Sequence, residues 1–391
     1  MATFIEDNVA LVIGFGAVLA LATWLYLVTA RGGFWLASER DNDTPPPPPA
    51  WPSVVAVIPA RNEAAHIGET LGSLLTQSYP ALSVVLVDDQ SDDGTAEAAK
   101  VAAAALGAAD RLTVLSGRPL PPGWTGKLWA VKQGVDQAQN AKPAYLLLTD
   151  ADIVYAPGTL LWLVGHAQAR HSVLTSLMAE LRCESFAERG LVPAFVFFFQ
   201  MLYPFAWVNR TDRAVAAAAG GCMLVQSEAL ASAGGIAAIR GALIDDCALA
   251  QKLKAQGRIS LGLTHRVRST RAYPVIDDIR RMVSRSAYAQ LHYSPIWLLD
   301  TLAGLALTYL APVGLALFGS GLPQILGVVT WMLMALAFQP ILRFYGRSPL
   351  WGPALPLIAL AYMVFTVDSA YQHARGRGGM WKGRVQANVS G

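Results

Sequence analysis

Four short, mainly apolar runs constrain this chain more than any other feature. Residues 54–58 form a continuous apolar run that suits a parallel strand buried on both faces, and residues 84–87, 112–115 and 145–148 read as the second, third and fourth strands. Helical stretches separate them. After the first run, Ile67, Leu71, Leu74 and Leu75 recur at the spacing of one helix face. Pro59 is read as the stop of the first strand, and Tyr79-Pro80 as the stop of the helix. Residues 96–106 and 128–139 supply the next two helices. The βαβαβαβ alternation predicts an α/β fold with a doubly wound, mostly parallel sheet.

Ligands of such sheets bind beyond the carboxyl ends of the strands. The notable polar residues fall there. Arg61-Asn62-Glu63 follows the first strand, Asp88-Asp89 the second and Asp150-Ala151-Asp152 the fourth. No GxGxxG follows the first strand and no GxxxxGK[ST] occurs anywhere, so dinucleotide and Walker-type sites lack their glycine chemistry. Gly14-Phe15-Gly16 lies inside an apolar run and is no substitute.

Three carboxylate groups carry the candidate chemistry. Asp150-x-Asp152 can share a hard cation with a diphosphate, because Mg2+ or Mn2+ keeps oxygen ligands from phosphate and water. Asp88-Asp89-x-Ser91-x-Asp93-Gly94-Thr95 can accept from a nucleotide base and ribose, although the same residue types also suit a cap and turn. Ile244-Asp245-Asp246-x-x-Leu249 opens a helix, where carboxylates are favoured in any case. Placed across the cleft, that pair could take a proton from an attacking hydroxyl.

The two ends of the chain differ from its middle. Of 391 residues, 54% are hydrophobic and 15% charged, against about 25% charged in a soluble domain. Mean hydropathy is +0.38. Residues 8–30 form an apolar run long enough to span a bilayer, which needs about 20. Glu6 and Asp7 precede it, and Arg31 and Arg40 follow. The positive-inside rule therefore places the following domain in the cytoplasm, as expected of an integral protein of a bacterial-type inner membrane. A polyproline linker, residues 41–52, leads into a domain at 53–290. Residues 296–318, 322–342 and 351–371 make a membrane region of two or three helices, the first weakened by Asp300 and Pro312. Residues 195–208 are aromatic-rich and too short to span, which suits a core helix or an interfacial helix near a lipid acceptor. The tail, 372–391, carries Arg375, Arg377, Lys382 and Arg384, a charge cluster fit for anionic headgroups. A net charge of +3 argues against nucleic acid. Cys183, Cys222 and Cys247 lack metal-ligand spacing and read as small buried hydrophobes.

The ordered motifs resemble the family-2 inverting glycosyltransferases of GT-A fold. The match runs Val57-Ile58-Pro59-Ala60-Arg61-Asn62-Glu63, Val87-Asp88-Asp89-Gln90-Ser91-x-Asp93-Gly94-Thr95, Gly126-Lys127-x-x-Ala130, Thr149-Asp150-Ala151-Asp152, Gly220-Gly221-Cys222-Met223 and Asp245-Asp246-x-x-Leu249. With Gly123-Trp124-x-Gly126-Lys127-x-Trp129-Ala130 and the apolar ends, the chain looks like the hopanoid-associated glycosyltransferases, relatives of ceramide glucosyltransferase. The resemblance implies a nucleotide-sugar site at Pro59, Arg61, Glu63, Asp88, Asp89, Lys127 and Asp150, with Asp89 on the base. Asp152 would be the main metal ligand, with Asp150 near ribose and metal. Asp246 would be the general base, paired with Asp245 where the family has glutamate. Gly220 and Gly221 would let the backbone approach sugar or acceptor. The family's Gln-x-x-Arg-Trp motif is degraded to Met282-x-x-Arg285-Ser286, leaving Arg285 as a candidate for diphosphate or acceptor, and favouring a single transfer.

The expected activity is a metal-dependent, hexosyltransferase-like transfer of one sugar from a nucleotide-sugar, a UDP-sugar by preference, to a lipid acceptor such as a hopanoid or polyprenyl phosphate. Nucleotidyl transfer is the enzymatic alternative, but its glycine-rich first loop is missing. A membrane scaffold that merely keeps the fold is the non-enzymatic one, and the retained Asp89, Asp152 and Asp246 argue against it.

Overall fold

The computed structural model describes residues 2–379 and 381. Lys382 and Arg384 of the expected basic tail, and the side chains of Glu6 and Asp7, lie outside the described residues. The chain forms two compact units. One, chiefly Glu39–Arg182 and Phe205–Ala272, holds the sheet. The other is helical and comprises the residues up to Ser38, Cys183–Pro204 and Tyr273–Gly378.

The strands of the sheet unit are β1 (Val54–Ala60), β2 (Leu82–Asp88), β3 (Leu112–Ser116), β4 (Tyr145–Leu148), β5 (Ile153–Tyr155), β6 (Ser172–Glu180), β7 (Met223–Gln226) and β8 (Arg258–Ser269). They form one sheet in the order β3-β2-β1-β4-β7-β6-β8-β5. The first four pair in parallel, as the apolar runs predict. The second half is mixed: β7 runs antiparallel to both β4 and β6, β6 and β8 are parallel, and β5 closes the edge antiparallel to β8. The crossovers from β1 run to β2 on one side and, through β3, to β4 on the other. A crevice therefore opens over the carboxyl ends of β1, β2 and β4.

Pro59 does not end β1. The strand continues to Ala60, with Pro59 opposite Val87 of β2. The β4 pairing has already stopped, at Val57 opposite Leu148. At Pro59 β1 therefore has an edge on one side, where a missing N–H costs no ladder bond. The helix Gly126–Ala138 crosses this part of the sheet closely. A Cβ on Gly134 would come within 2.5 Å of Val57 Cγ1 and 3.0 Å of Val87 Cγ2.

The proline-rich segment is fastened to the sheet unit along its length. Arg40 bridges in parallel to Leu263, and Leu263 N–H donates to the Glu39 carbonyl at 2.9 Å. The buried Asp41 carboxylate accepts the Thr264 hydroxyl and pairs with Arg266 at 3.0 Å. A Cβ on Gly165, in the helix Thr159–Ala169, would lie 3.2 Å from Pro45 Cγ. The segment is a strap as well as a stiff connection.

In the helical unit, Trp24 explains how Pro312 is tolerated. Proline has no N–H and clashes with the carbonyl four residues back, here Thr308. The chain relieves this with a π-helical turn, Ala306–Leu310. The Thr308 carbonyl accepts instead from Trp24 Nε1 at 2.9 Å, while the Trp24 ring meets Tyr309 edge-on at 5.4 Å. Asp368, inside the apolar helix Leu355–Ala374, accepts from Ser284 Oγ at 2.8 Å and pairs with Arg280. That pair ties the helix Ile276–Ser284 to the C-terminal one.

Among the described residues five helical stretches are long and apolar enough to cross a membrane: Ala10–Ala30, Phe186–Val208, Pro295–Phe318, Gly321–Phe344 and Leu355–Ala374. The second corrects the sequence reading of 195–208 as too short. Its helix starts nine residues earlier than Phe195, at Phe186, behind a capping box: Ser185 Oγ accepts from Glu188 N–H at 3.1 Å, and the Glu188 carboxylate accepts from Ser185 N–H at 2.8 Å. Length does not make this stretch a crossing. A single pass would put β6 and β7 on opposite sides of a bilayer, and those strands are hydrogen-bonded neighbours.

Candidate active site

The helix Asp245–Lys254 begins on its two aspartates, where the helix dipole favours negative charge. The Asp246 carboxylate accepts from Gly220 N–H at 3.0 Å and from Cys247 N–H at 2.8 Å. Burial, and then the neighbouring Asp245 charge, push its pKa up to about 6 against the pull of Lys127 and of the two amides. Asp246 is thus a fixed carboxylate whose proton affinity is raised.

Lys127 lies in the first turn of Gly126–Ala138, capped by Thr125. A cation there is opposed by the helix dipole. Two carboxylates hold it: Lys127 Nζ is 2.9 Å from Asp150 Oδ1 and 3.1 Å from Asp245 Oδ2. Burial disfavours its charge, but Asp150 and Asp245 outweigh that and hold its pKa above the ordinary lysine value. Asp150 itself has a raised pKa. Its burial is the main cause; Lys127 opposes it and Asp152 adds to it. Lys127 therefore joins the end of β4 to the start of the Asp245 helix. Pro59, Lys127, Asp150, Gly220 and Asp245 line one small cavity of about 20 Å³.

Asp152 points elsewhere. Its Oδ2 accepts from Arg271 Nε at 2.8 Å and from Ser269 Oγ at 3.2 Å. The other arm of Arg271 reaches Glu63 Oε1 at 2.7 Å. The turn carrying Asp152 is pinned by its backbone: Thr270 N–H donates to the Asp152 carbonyl at 2.9 Å, and the Thr70 hydroxyl to the Ala151 carbonyl at 2.8 Å. The two acids of Asp150-x-Asp152 thus have separate cationic partners.

The third group closes over β1 and β2. Asp88 Oδ1 accepts from Ser91 N–H at 3.1 Å, and Asp93 receives Thr95 N–H at 3.0 Å and Ala64 N–H at 2.9 Å. The Ser91 hydroxyl accepts from Asn62 N–H at 3.0 Å. These bonds zip the two strand-end loops together, with Asn62 and Gln90 in left-handed conformations. Asp89 is fully buried. Arg61 stands 3.9 Å from its Oδ2 and donates to the Asp89 and Gln90 carbonyls. Gly117, just past β3, passes so close that a Cβ would lie 3.0 Å from the Asp88 carbonyl oxygen and from Asp89 Cα.

The expected residues thus fall into three neighbouring sets: Lys127 with Asp150, Asp245, Asp246 and Gly220; Asp152 with Glu63; and Arg61 with Asp88 and Asp89. Gly220 contributes an N–H to Asp246. Gly221 is crowded by the core, since a Cβ there would meet Ile153 Cδ1 at 3.0 Å, and its carbonyl accepts the Thr149 hydroxyl at 2.8 Å. Arg285 belongs to the helical unit, exposed at the end of Ile276–Ser284. Arg271, Ser269 and Gly117 escaped the sequence reading. The available signal was Ser269-Thr270-Arg271 at the end of the alternating run in β8.

Among the described residues no three or more His, Cys, Asp or Glu side chains converge as a self-sufficient metal cage. A cation completed by phosphate and water oxygens needs only one or two carboxylates from the protein, and Asp152 and Asp150 could supply them.

The profile of the family described as "Glycosyltransferase like family 2" matches residues 49–280, more than half of the chain. Among curated proteins, 4,4'-diaponeurosporenoate glycosyltransferases of Staphylococcus aureus strains are 34% and 33% identical over 103 residues. That stretch is 26% of this chain and 24% of theirs, so the match spans about a quarter of the relatives' length. Among solved structures, a mannosyltransferase from Pyrobaculum calidifontis, in complex with GDP-Man and Mn2+, superposes with a TM-score of 0.58 at 20% identity. The superposition covers 91% of this chain and 99% of that one, and it speaks for the fold. On the profile match, the chain belongs to glycosyltransferase-like family 2, and its sheet unit has the GT-A fold.

Proposed function

We propose that this enzyme is membrane-bound and moves one sugar from a nucleotide-sugar to a lipid hydroxyl or phosphate by direct, inverting displacement. The observation that carries the proposal is the Asp246 carboxylate, aimed by two backbone amides and raised toward neutral pKa, one lysine away from Asp150. A base near the working pH accepts a proton from an attacking hydroxyl most effectively. Asp245 keeps Lys127 in place. Asp89, buried at the end of β2, would accept from the base, with Arg61 beside it. Lys127 and Arg271 would face the charge that builds on the departing diphosphate. When bound at Asp152 and Asp150, Mg2+ or Mn2+ would neutralise part of that charge.

The apolar helices support a lipid acceptor, and the motif resemblance supports a hopanoid or polyprenyl phosphate. The name of the Staphylococcus aureus relatives adds 4,4'-diaponeurosporenoate to the acceptors worth testing. UDP- and GDP-sugars are the donors to try first. The arginines after residues 8–30 support a catalytic unit facing the cytoplasm of a bacterial-type inner membrane. The paired strands on either side of Phe186–Val208 support an interfacial seat for that helix. The test is release of nucleoside diphosphate by membranes carrying Asp152→Ala or Asp246→Ala. Both are expected to lose at least 99% of the lipid-dependent release, by roughly the 10²–10⁴ attributed to a general base. Undiminished release from both would reject the mechanism.

A further inference from the structure

The side chain that the proposed reaction needs for a divalent cation is already held by another cation. Asp152 follows β4, Glu63 follows β1 and Arg271 follows β8; the guanidinium bridges the two carboxylates at 2.8 and 2.7 Å. The Asp152 and Glu63 side chains are only 10% and 7% exposed, whereas Arg271 is 31% exposed. The acids form the floor and the arginine lies on the open side. Ser269 Oγ, at 3.2 Å, fixes the same Asp152 oxygen that Arg271 Nε grips. A dication and a guanidinium cannot both sit on that oxygen without facing each other at ion-pair range, where like charges repel strongly in a partly dry site. If Arg271 leaves without replacement, two buried carboxylates lose their counter-charge. If it leaves as a diphosphate arrives, the planar fork finds a matching acceptor.

We propose that Arg271 competes with the divalent cation for Asp152, so that the cation and the nucleotide-sugar load together. This rests on the metal-assisted reading above. The cation alone meets an occupied carboxylate. With the diphosphate present, the guanidinium swings to phosphate oxygens, Asp152 is released, and Glu63 remains beneath the site as the acid that both cations answer. The device would keep the enzyme from holding a cation with no donor to use it on. Glu63, grouped by its motif with the nucleotide-sugar site, acquires a different task here: it anchors the arginine.

The test is Mn2+ binding to the full chain in detergent, read from the electron paramagnetic resonance signal of free Mn2+, with and without UDP or GDP. For the unaltered protein, UDP or GDP is expected to tighten Mn2+ binding at least tenfold. Arg271→Gln is expected to bind Mn2+ alone about tenfold more tightly than the unaltered protein, and to lose most of the nucleotide-dependent gain. Arg271→Lys keeps a charge and one donor, and is expected to fall between; it carries the test if the glutamine variant does not fold, as judged by its melting curve. Equal Mn2+ affinity in the unaltered protein and both variants would overturn the competition while leaving the metal reading intact. No Mn2+ binding to any of them, with either nucleotide, would overturn the metal reading and the competition with it.

Discussion

Asp246 shows how one carboxylate can be both firmly held and basic. Gly220 and Cys247 amides fix its direction and favour its charged form, while burial and Asp245 disfavour it, leaving a pKa of about 6. The group is deprotonated above that value, so kcat/KM should rise with pH and level off above about 6. Lys127 lowers the pKa of Asp246. Lys127→Met should therefore move the acid limb of the kcat/KM profile to higher pH; an unmoved limb would detach it from Asp246. Asp246→Asn should cut kcat by about 10²–10⁴ while leaving nucleotide binding near normal. The strand-end acids were legible because a buried strand leaves few places for a carboxylate except its carboxyl end. Arg271 was not, because it meets Asp152 across 119 residues of sequence. Gly117 was hidden for a related reason, since its requirement comes from a neighbouring strand end and not from its own turn.

At the scale of elements, the parallel half of the sheet was readable from short, mainly apolar runs. β5 and β7 are only three and four residues long, and the β6 and β8 segments carry polar residues, so no such run announces them. Pro59 misled for a definite reason: its strand has one neighbour at that point, and edges accept proline. Two substitutions test the packing described above. Gly134→Ala should destabilise the protein by about 1–3 kcal/mol, because the added carbon meets β1 at 2.5 Å in a filled core; thermal melting of the detergent-solubilised protein measures it. Trp24→Phe should cost about 1–3 kcal/mol by the same assay, because the Thr308 carbonyl freed by Pro312 loses its donor in apolar surroundings. An unchanged melting temperature in Trp24→Phe would mean that the π-turn does not depend on Trp24.

Across the whole molecule, composition separated a polar sheet unit from apolar helices. It could not assign Phe186–Val208, whose fate depends on strand pairing between β6 and β7. The protein should stay in the membrane pellet after an alkaline carbonate wash, and recovery in the supernatant would refute membrane integration. The central claim is the transfer itself. Its most direct measurement uses the full chain in lipid nanodiscs with isotope-labelled UDP- and GDP-sugars and a bacterial lipid extract, followed by mass spectrometry of the lipids and NMR of the product anomer. The expected result is one labelled sugar per acceptor lipid, inverted at its anomeric carbon, with one nucleoside diphosphate released for each. A retained anomer, or a nucleotide attached to the lipid in place of the sugar, would contradict the account.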